Sequence, residues 1–319
     1  MKRFTLITAS LLAFLLLSAC NNNAPETRIG IIEPIEHTAM DEIVAGFKKT
    51  LAKNFDGPVA VHIENAEADP SLERAIIQKM RDAHYTMIVP IGVDATEMTL
   101  SMTKNIPVVS LASDLSDKAR QKLNPCNVAA VHDEISSAQI LSFIHQVYPH
   151  LKNLVLVHSS ANKVFPEVQA TIAAGKKFGI TIHPMMVSTL AELYSVSQSL
   201  PTKTEGIFIL KDSLIASGIA TLANVATQKH IPLISSDQGS VQNGAGFALG
   251  VHESRIGEEG AILAAQILKG RSACELPIVD MKNLTVFVNG RALDKAAQSI
   301  KNIRAAAAHL HYPVEQLDS

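Results

Sequence analysis

Short apolar runs and amphipathic stretches alternate along most of this chain. Residues 28–34 read as an apolar strand, and residues 41–53 as a helix with Ile43, Phe47 and Leu51 at helical spacing. The alternation continues with a strand at 59–64, a helix at 70–83 carrying Pro70 in its first turn, and strands at 87–91 and 106–111. Gly92 ends the third strand, and Asp94 stands where it could cap the next helix. This order is the mark of a parallel sheet with helices on both faces.

The pattern then restarts. Residues 127–132 read as an extended crossover. Strands follow at 153–158, 180–187, 206–210 and 232–236, with helices between them, the first at about 164–178. Later elements break the tandem: an extended run at 246–251, a long helix at 253–269 closed by Gly270, a strand at 284–289 and a terminal helix from about 291. Elements added after a second complete half suggest that the chain crosses back. The expected fold is α/β, two Rossmann-like lobes with parallel sheets joined by a multi-crossing hinge. One extended sheet is the alternative that periodicity leaves open. The expected division is 28–130 plus about 248–278 for the first lobe, and 131–247 plus about 279–319 for the second.

The N-terminus is different. Lys2 and Arg3 precede an uncharged apolar run at 4–17, and Leu17-Ser18-Ala19-Cys20 follows. This is the pattern of a secretory signal ending in a lipobox. The run is short for a membrane span of about 20 residues; an ordinary anchor helix is the alternative. The reading gives a signal peptide at 1–19, a lipid on the sulfur of Cys20 and a tether at 20–27. Acyl chains would hold the membrane at about 0.8 kcal/mol per buried methylene.

About 300 residues remain, which suits two domains. Losing Lys2 and Arg3 takes the formal charge from −2 to −4, which argues against nucleic acid as partner. Tryptophan is absent and aromatic residues make up 4% of the chain, so a cleft of stacked rings is hard to furnish. Cys126 and Cys274 are a candidate disulfide in an oxidising compartment, and spacing does not decide between a bridge and two buried thiols. No CxxC or His/Cys metal spacing occurs, and neither metal nor cofactor is expected.

In open α/β sheets, ligands bind beyond the carboxyl ends of the strands. Those positions hold Glu33 and His37, then Asp94, then Ser113 and Asp114 in the first half. In the second half they hold Ser160, Asn162 and Lys163, then Asp212, then Asp237 and Gln238. Two such polar rims facing each other would suit a small polar ligand. Carboxylates would take an amine, while hydroxyls and helix N-termini would take a carboxylate. Each residue also has a plainer role: Asp94 and Asp212 as helix caps, Asp237 in a turn. GxSxG, HExxH and P-loop patterns are absent, so catalysis is not expected.

An ordered set of segments runs along the chain: Gly30-Ile31-Ile32-Glu33-Pro34-Ile35-Glu36 with His37-Thr38-Ala39-Met40-Asp41, then Glu64-Asn65-Ala66-Glu67-Ala68-Asp69. Ile106 to Val109 leading to Asp114, Ser236-Asp237-Gln238-Gly239-Ser240-Val241, Leu249-Gly250 and Leu268-Lys269-Gly270 complete the set. On these segments rests a resemblance to the substrate-binding lipoproteins of ABC transporters, in particular the TrpX-like group, whose best-known members take aromatic amino acids. It implies a type I periplasmic-binding fold, three hinge crossings, closure around a ligand, and a permease and an ATPase as partners. Two departures bear on the ligand. Gly92-Val93 stands where the group has Gly-Thr, removing a hydroxyl. The loop from His158 to Lys163 keeps Asn162, loses a glutamate and adds Lys163. The expected function is capture of a small polar ligand, an amino acid or related metabolite, for an importer. A sensing lipoprotein that regulates a membrane signalling partner, and an enzyme on the same fold, are the alternatives.

Overall fold

The computed structural model describes residues 27–123, 126–161 and 164–317. The expected signal peptide, Cys20, most of the expected tether, Asn162 and Lys163 lie outside the described residues.

The first half runs β1 (Thr27–Glu33), α1 (Thr38–Asn54), β2 (Val59–Asn65), α2 (Pro70–Asp82), β3 (Met87–Pro90), α3 (Val93–Met102), β4 (Val108–Leu111), α4 (Asp117–Gln121) and β5 (Val128–His132). The second runs α5 (Ser137–Val147), β6 (Asn153–Ser159), α6 (Val164–Lys177), β7 (Thr181–Val187), α7 (Leu190–Gln198), β8 (Gly206–Ile209), α8 (Ser213–Ser217), α9 (Ile219–Lys229), β9 (Leu233–Ser235), α10 (Gln238–Gln242) and β10 (Phe247–Gly250). Then come α11 (Glu253–Leu268), β11 (Val279–Asp280), β12 (Thr285–Val288), α12 (Gly290–Lys295), α13 (Ile300–His309) and β13 (Val314–Gln316).

Two sheets form, which excludes the single extended sheet. The first has the order β11-β5-β4-β3-β1-β2 and the second β13-β12-β10-β9-β8-β6-β7. All pairs are parallel except β10 with β12. Central strands are buried on both faces, as helices on either side require. Alternate residues of β1 and β3 divide between the two helix layers. Ile29, Ile31, Met87 and Val89 pack toward Ile43 and Phe47 of α1. Ile32 and Ile88 pack toward Ile76, Ile77 and Met80 of α2. The second lobe repeats this, with Leu154 and Leu156 of β6 in one cluster and Val155 and Val157 in the other. Full burial of each such side chain contributes about 1.5–3 kcal/mol.

The chain crosses between lobes at 133–136, 251–252 and 281–284. The second crossing is anchored where α11 packs on α1 at backbone distance. A Cβ on Gly46 would collide with the Ser254 carbonyl, and one on Gly257 with the Ile43 carbonyl. Cys126 and Cys274 form a disulfide, their Cα atoms 6.1 Å apart, and tie the start of β5 to the segment after α11.

Several details differ from the sequence reading. Residues 128–132 are a full strand between β4 and β11, not a crossover; their small Ala-Ala centre made a weak strand signal. The run at 247–250 pairs with β9 and β12, so it belongs to the second sheet, and β11 belongs to the first. The expected lobe boundaries near 248 and 279 therefore fall a few residues early. The terminal helix is two helices, broken near Ala297 at φ 55°, and a last strand follows it.

Candidate functional site

Both sheets carry the strand order 2-1-3-4-5 in their parallel part. Each therefore has a switch point where connections leave in opposite directions and a crevice opens. In the first lobe it lies between β1 and β3, at Glu33 and Gly92. In the second it lies between β6 and β8, at Ser159 and Asp212.

On the first rim, Glu33 is half-buried, and its carboxyl is pushed up by burial and then by Asp41 and Glu36. His37 caps α1, its Nδ1 accepting the Ala39 N–H at 3.2 Å. Asp94 is not the cap of α3. Gly92 holds that position at φ 93° without a side-chain bond, and Asp94 lies one position inside the first turn, exposed. The helix starts at Val93, two residues earlier than an Asp94 cap would need. Ser113, just beyond β4, is 3% exposed and its hydroxyl has no hydrogen-bond partner among the described residues. Asp114 beside it is exposed.

On the second rim, Ser160 is exposed, and the buried neighbour is Ser159, whose Oγ accepts the Ala161 N–H at 3.2 Å. Asp212 is buried with both oxygens engaged: Oδ2 accepts the Ser159 N–H at 2.6 Å and Oδ1 the Leu214 N–H at 3.2 Å. It caps α8 and also stitches the switch point together. Asp237 caps α10, with Oδ1 accepting the Ser240 N–H at 2.6 Å. Ser236, just before it, is 3% exposed, and its hydroxyl has no partner among the described residues. Gln238 reaches into the other lobe: Nε2 donates to Glu42 of α1 at 2.8 Å, and Oε1 accepts the Glu253 N–H at 3.4 Å. Asn162 and Lys163 lie outside the described residues.

A charged cluster emerges that the sequence reading did not single out. The Lys211 ammonium, at the end of β8, pairs with the Asp133 carboxylate in the first crossing and donates to its carbonyl at 3.2 Å. Burial opposes the charge on Lys211, but Asp133, Glu253 and Asp237 outweigh it, and the ammonium stays protonated beyond its ordinary range. Glu253, the first residue of α11 directly after the second crossing, is pushed up to about 8 by burial, then by Asp237, Asp133 and Glu42 against the opposing pull of Lys211. Glu167 on α6 is pushed up to about 7 by burial, with Glu134, Asp133 and Asp212 adding to it against Lys211. One lysine thus faces several carboxylates where the crossings meet the strand ends. Lys211 stood beside Asp212 at a strand end, so the same rule could have found it. Asp133 lies in the first crossing and Glu253 directly after the second, and no local pattern marks them.

Chemically, such an arrangement is suited to binding. Unpaired buried hydroxyls can exchange hydrogen bonds with a ligand, and surplus carboxylates favour a cation. Among the described residues no group of histidine, cysteine and acidic side chains is arranged to hold a metal ion. No described helix is long and apolar enough to cross a membrane.

Comparison with known proteins agrees with this architecture. An uncharacterized protein of Rickettsia prowazekii (strain Madrid E) is 37% identical over 276 residues, covering 86% of this chain and 87% of its own. The tyrosine-binding protein of Clostridioides difficile (strain R20291) is 25% identical over 332 residues, covering 95% of each. A Streptococcus pneumoniae ABC domain solved in complex with L-Trp superposes with a TM-score of 0.79 at 22% identity, over 90% of this chain and 100% of that one. The family described as ABC transporter substrate binding protein matches residues 28–309. The chain belongs to that family.

Proposed function

We propose that this protein captures a small amine-bearing solute, an amino acid in the first instance, between its lobes and delivers it to the permease of an ABC importer. The observation that carries the reading is the pair of buried, unpartnered hydroxyls of Ser113 and Ser236, one at a strand end of each lobe. A buried polar group without a partner costs about 1–3 kcal/mol. A ligand that supplies hydrogen bonds to both recovers that cost and joins the lobes. The carboxylates around Lys211 select for a positive group on it. The relatives named for tyrosine and solved with L-Trp support the amino-acid class.

The mechanism is a shift of population toward the closed form on binding. The three crossings act as the hinge, and the closed form docks on the permease. The work is binding, with the solute released unchanged. The lipobox reading adds that Cys20 carries the acyl anchor, holding the protein on the outer side of a bacterial membrane. Loss of palmitate labelling in Cys20→Ala would support it.

A thermal-unfolding screen of the chain without its signal tests the solute. It would use L-tyrosine, L-tryptophan, their analogues lacking the amine, nucleosides and sugars. A ligand at about 100 times its dissociation constant adds about 2.7 kcal/mol. The amino acids should raise the melting temperature and the amine-free analogues should not. A response to sugars or nucleosides alone would contradict the reading.

A further inference from the structure

We infer that Glu42 is a positioning residue for solute capture: it latches the two lobes together across the mouth of the cleft, so that closure stands partly on the protein's own bonds. The inference rests on the reading of the protein as one that closes on a solute.

Glu42 is on α1, in the first lobe. Its Oε2 accepts from Gln238 Nε2 at 2.8 Å and its Oε1 from Gln242 Nε2 at 2.6 Å. The two glutamines are four residues apart on α10, in the second lobe, and so lie on one face of that helix. Bonds from a carboxylate are the stronger kind, and two from one carboxylate fix direction as well as distance. Asn243, the next residue along, donates to Thr38 Oγ1 at 3.0 Å and lies 3.4 Å from His37 Nε2, so a second set of bonds reaches the start of α1.

Gln238 is buried, and both its polar atoms are engaged by the first lobe, one by Glu42 and one by the Glu253 backbone. The sequence reading placed Gln238 among the ligand contacts; this geometry gives it to the latch. The fit depends on Gly239. A Cβ there would lie 2.7 Å from His37 Cε1 and 2.8 Å from the Ala39 Cβ, closer than real contacts allow. Glycine at this position lets α10 seat against α1, and a side chain would wedge the lobes apart.

The test measures inter-lobe distance in the solute-free protein by electron–electron double resonance. Spin labels go on Lys53→Cys and Lys203→Cys, with Cys20→Ser in the same chain. Wild type should show a short-distance population. Glu42→Ala should lower the closed-to-open ratio at least about tenfold, the loss of roughly one hydrogen bond to a charged group. Glu42→Gln should fall between, and Gly239→Val should open the molecule without touching Glu42. Thermal unfolding of each variant checks that the lobes stay folded. Superimposed distances for wild type and Glu42→Ala would overturn the latch. No solute is read in this comparison, so a failure of the solute-capture reading leaves the two distributions different, whereas a failure of the latch makes them coincide.

Discussion

Lys211 pairs with Asp133, joining the end of β8 in the second lobe to the first residue of the crossing that leaves the first lobe. The lysine also donates to the Asp133 carbonyl at 3.2 Å, so side chain and backbone of the hinge are held together. This clasp sits among Glu253, Asp237 and Glu167, and its loss would leave their charges opposed to each other.

Lys211→Met should therefore destabilise the protein by about 2–4 kcal/mol, below the about 3–5 kcal/mol of a fully buried pair because the lysine side chain keeps 28% of its exposure. Urea unfolding at pH 7 measures it. Equal midpoints for wild type and variant would show that the clasp is worth nothing to the fold.

Stability should fall as pH rises from about 5 to 8. Glu253 and Glu167 release their protons near 8 and 7 in the folded chain, but near 4.5 when unfolded. Between those values the folded state holds protons that the unfolded state has lost, so raising the pH favours unfolding. Below about 4.5 both states are protonated and these two groups add no slope. Glu253→Gln should flatten the decline and gain most over wild type near pH 8. Urea unfolding from pH 5 to 8.5 reads both effects; a variant that tracks wild type across the range would exclude Glu253 as a source.

Ser113→Ala and Ser236→Ala should have opposite effects on the empty and the occupied protein. Removing an unpartnered buried hydroxyl should leave the solute-free protein unchanged or up to about 1 kcal/mol more stable. Solute affinity should drop about tenfold for each, the worth of one hydrogen bond of about 1.4 kcal/mol. Calorimetric titration beside thermal unfolding separates the two, and full affinity in both variants would remove these hydroxyls from the site.

Reduction of the Cys126–Cys274 bridge, or Cys274→Ser, should lower stability by about 2–5 kcal/mol. The bridge spans 148 residues of sequence, enough to constrain the unfolded chain strongly. Unfolding with and without reductant measures it, and the Cys274→Ser variant should not respond to reductant.

Much of the fold could be read from the chain because its cues are local. Burial on both faces made β3, β8 and β10 continuous apolar runs. Gly270 at φ 95° ends α11 where the pattern placed a stop. Which sheet a strand joins is not local, so β10 and β11 fell on the wrong side of the expected boundaries. The site divides the same way. The strand-end rule marked Ser113, Asp212, Asp237 and Gln238 as candidates; Asp212 and Asp237 turn carboxylate oxygens to their own helix starts, and Gln238 turns to Glu42. Glu42 and Gln242 lie on helix faces that meet only when the lobes do, and nothing in their surrounding sequence marks the encounter.

A crystal structure with the amino acid that raises the melting temperature tests solute capture between the lobes most directly. That molecule should lie between the lobes, hydrogen-bonded to Ser113 and Ser236, with its amine toward the carboxylates around Lys211. Density for the amino acid outside the cleft, or within it with neither serine in contact, would rule out capture by these residues.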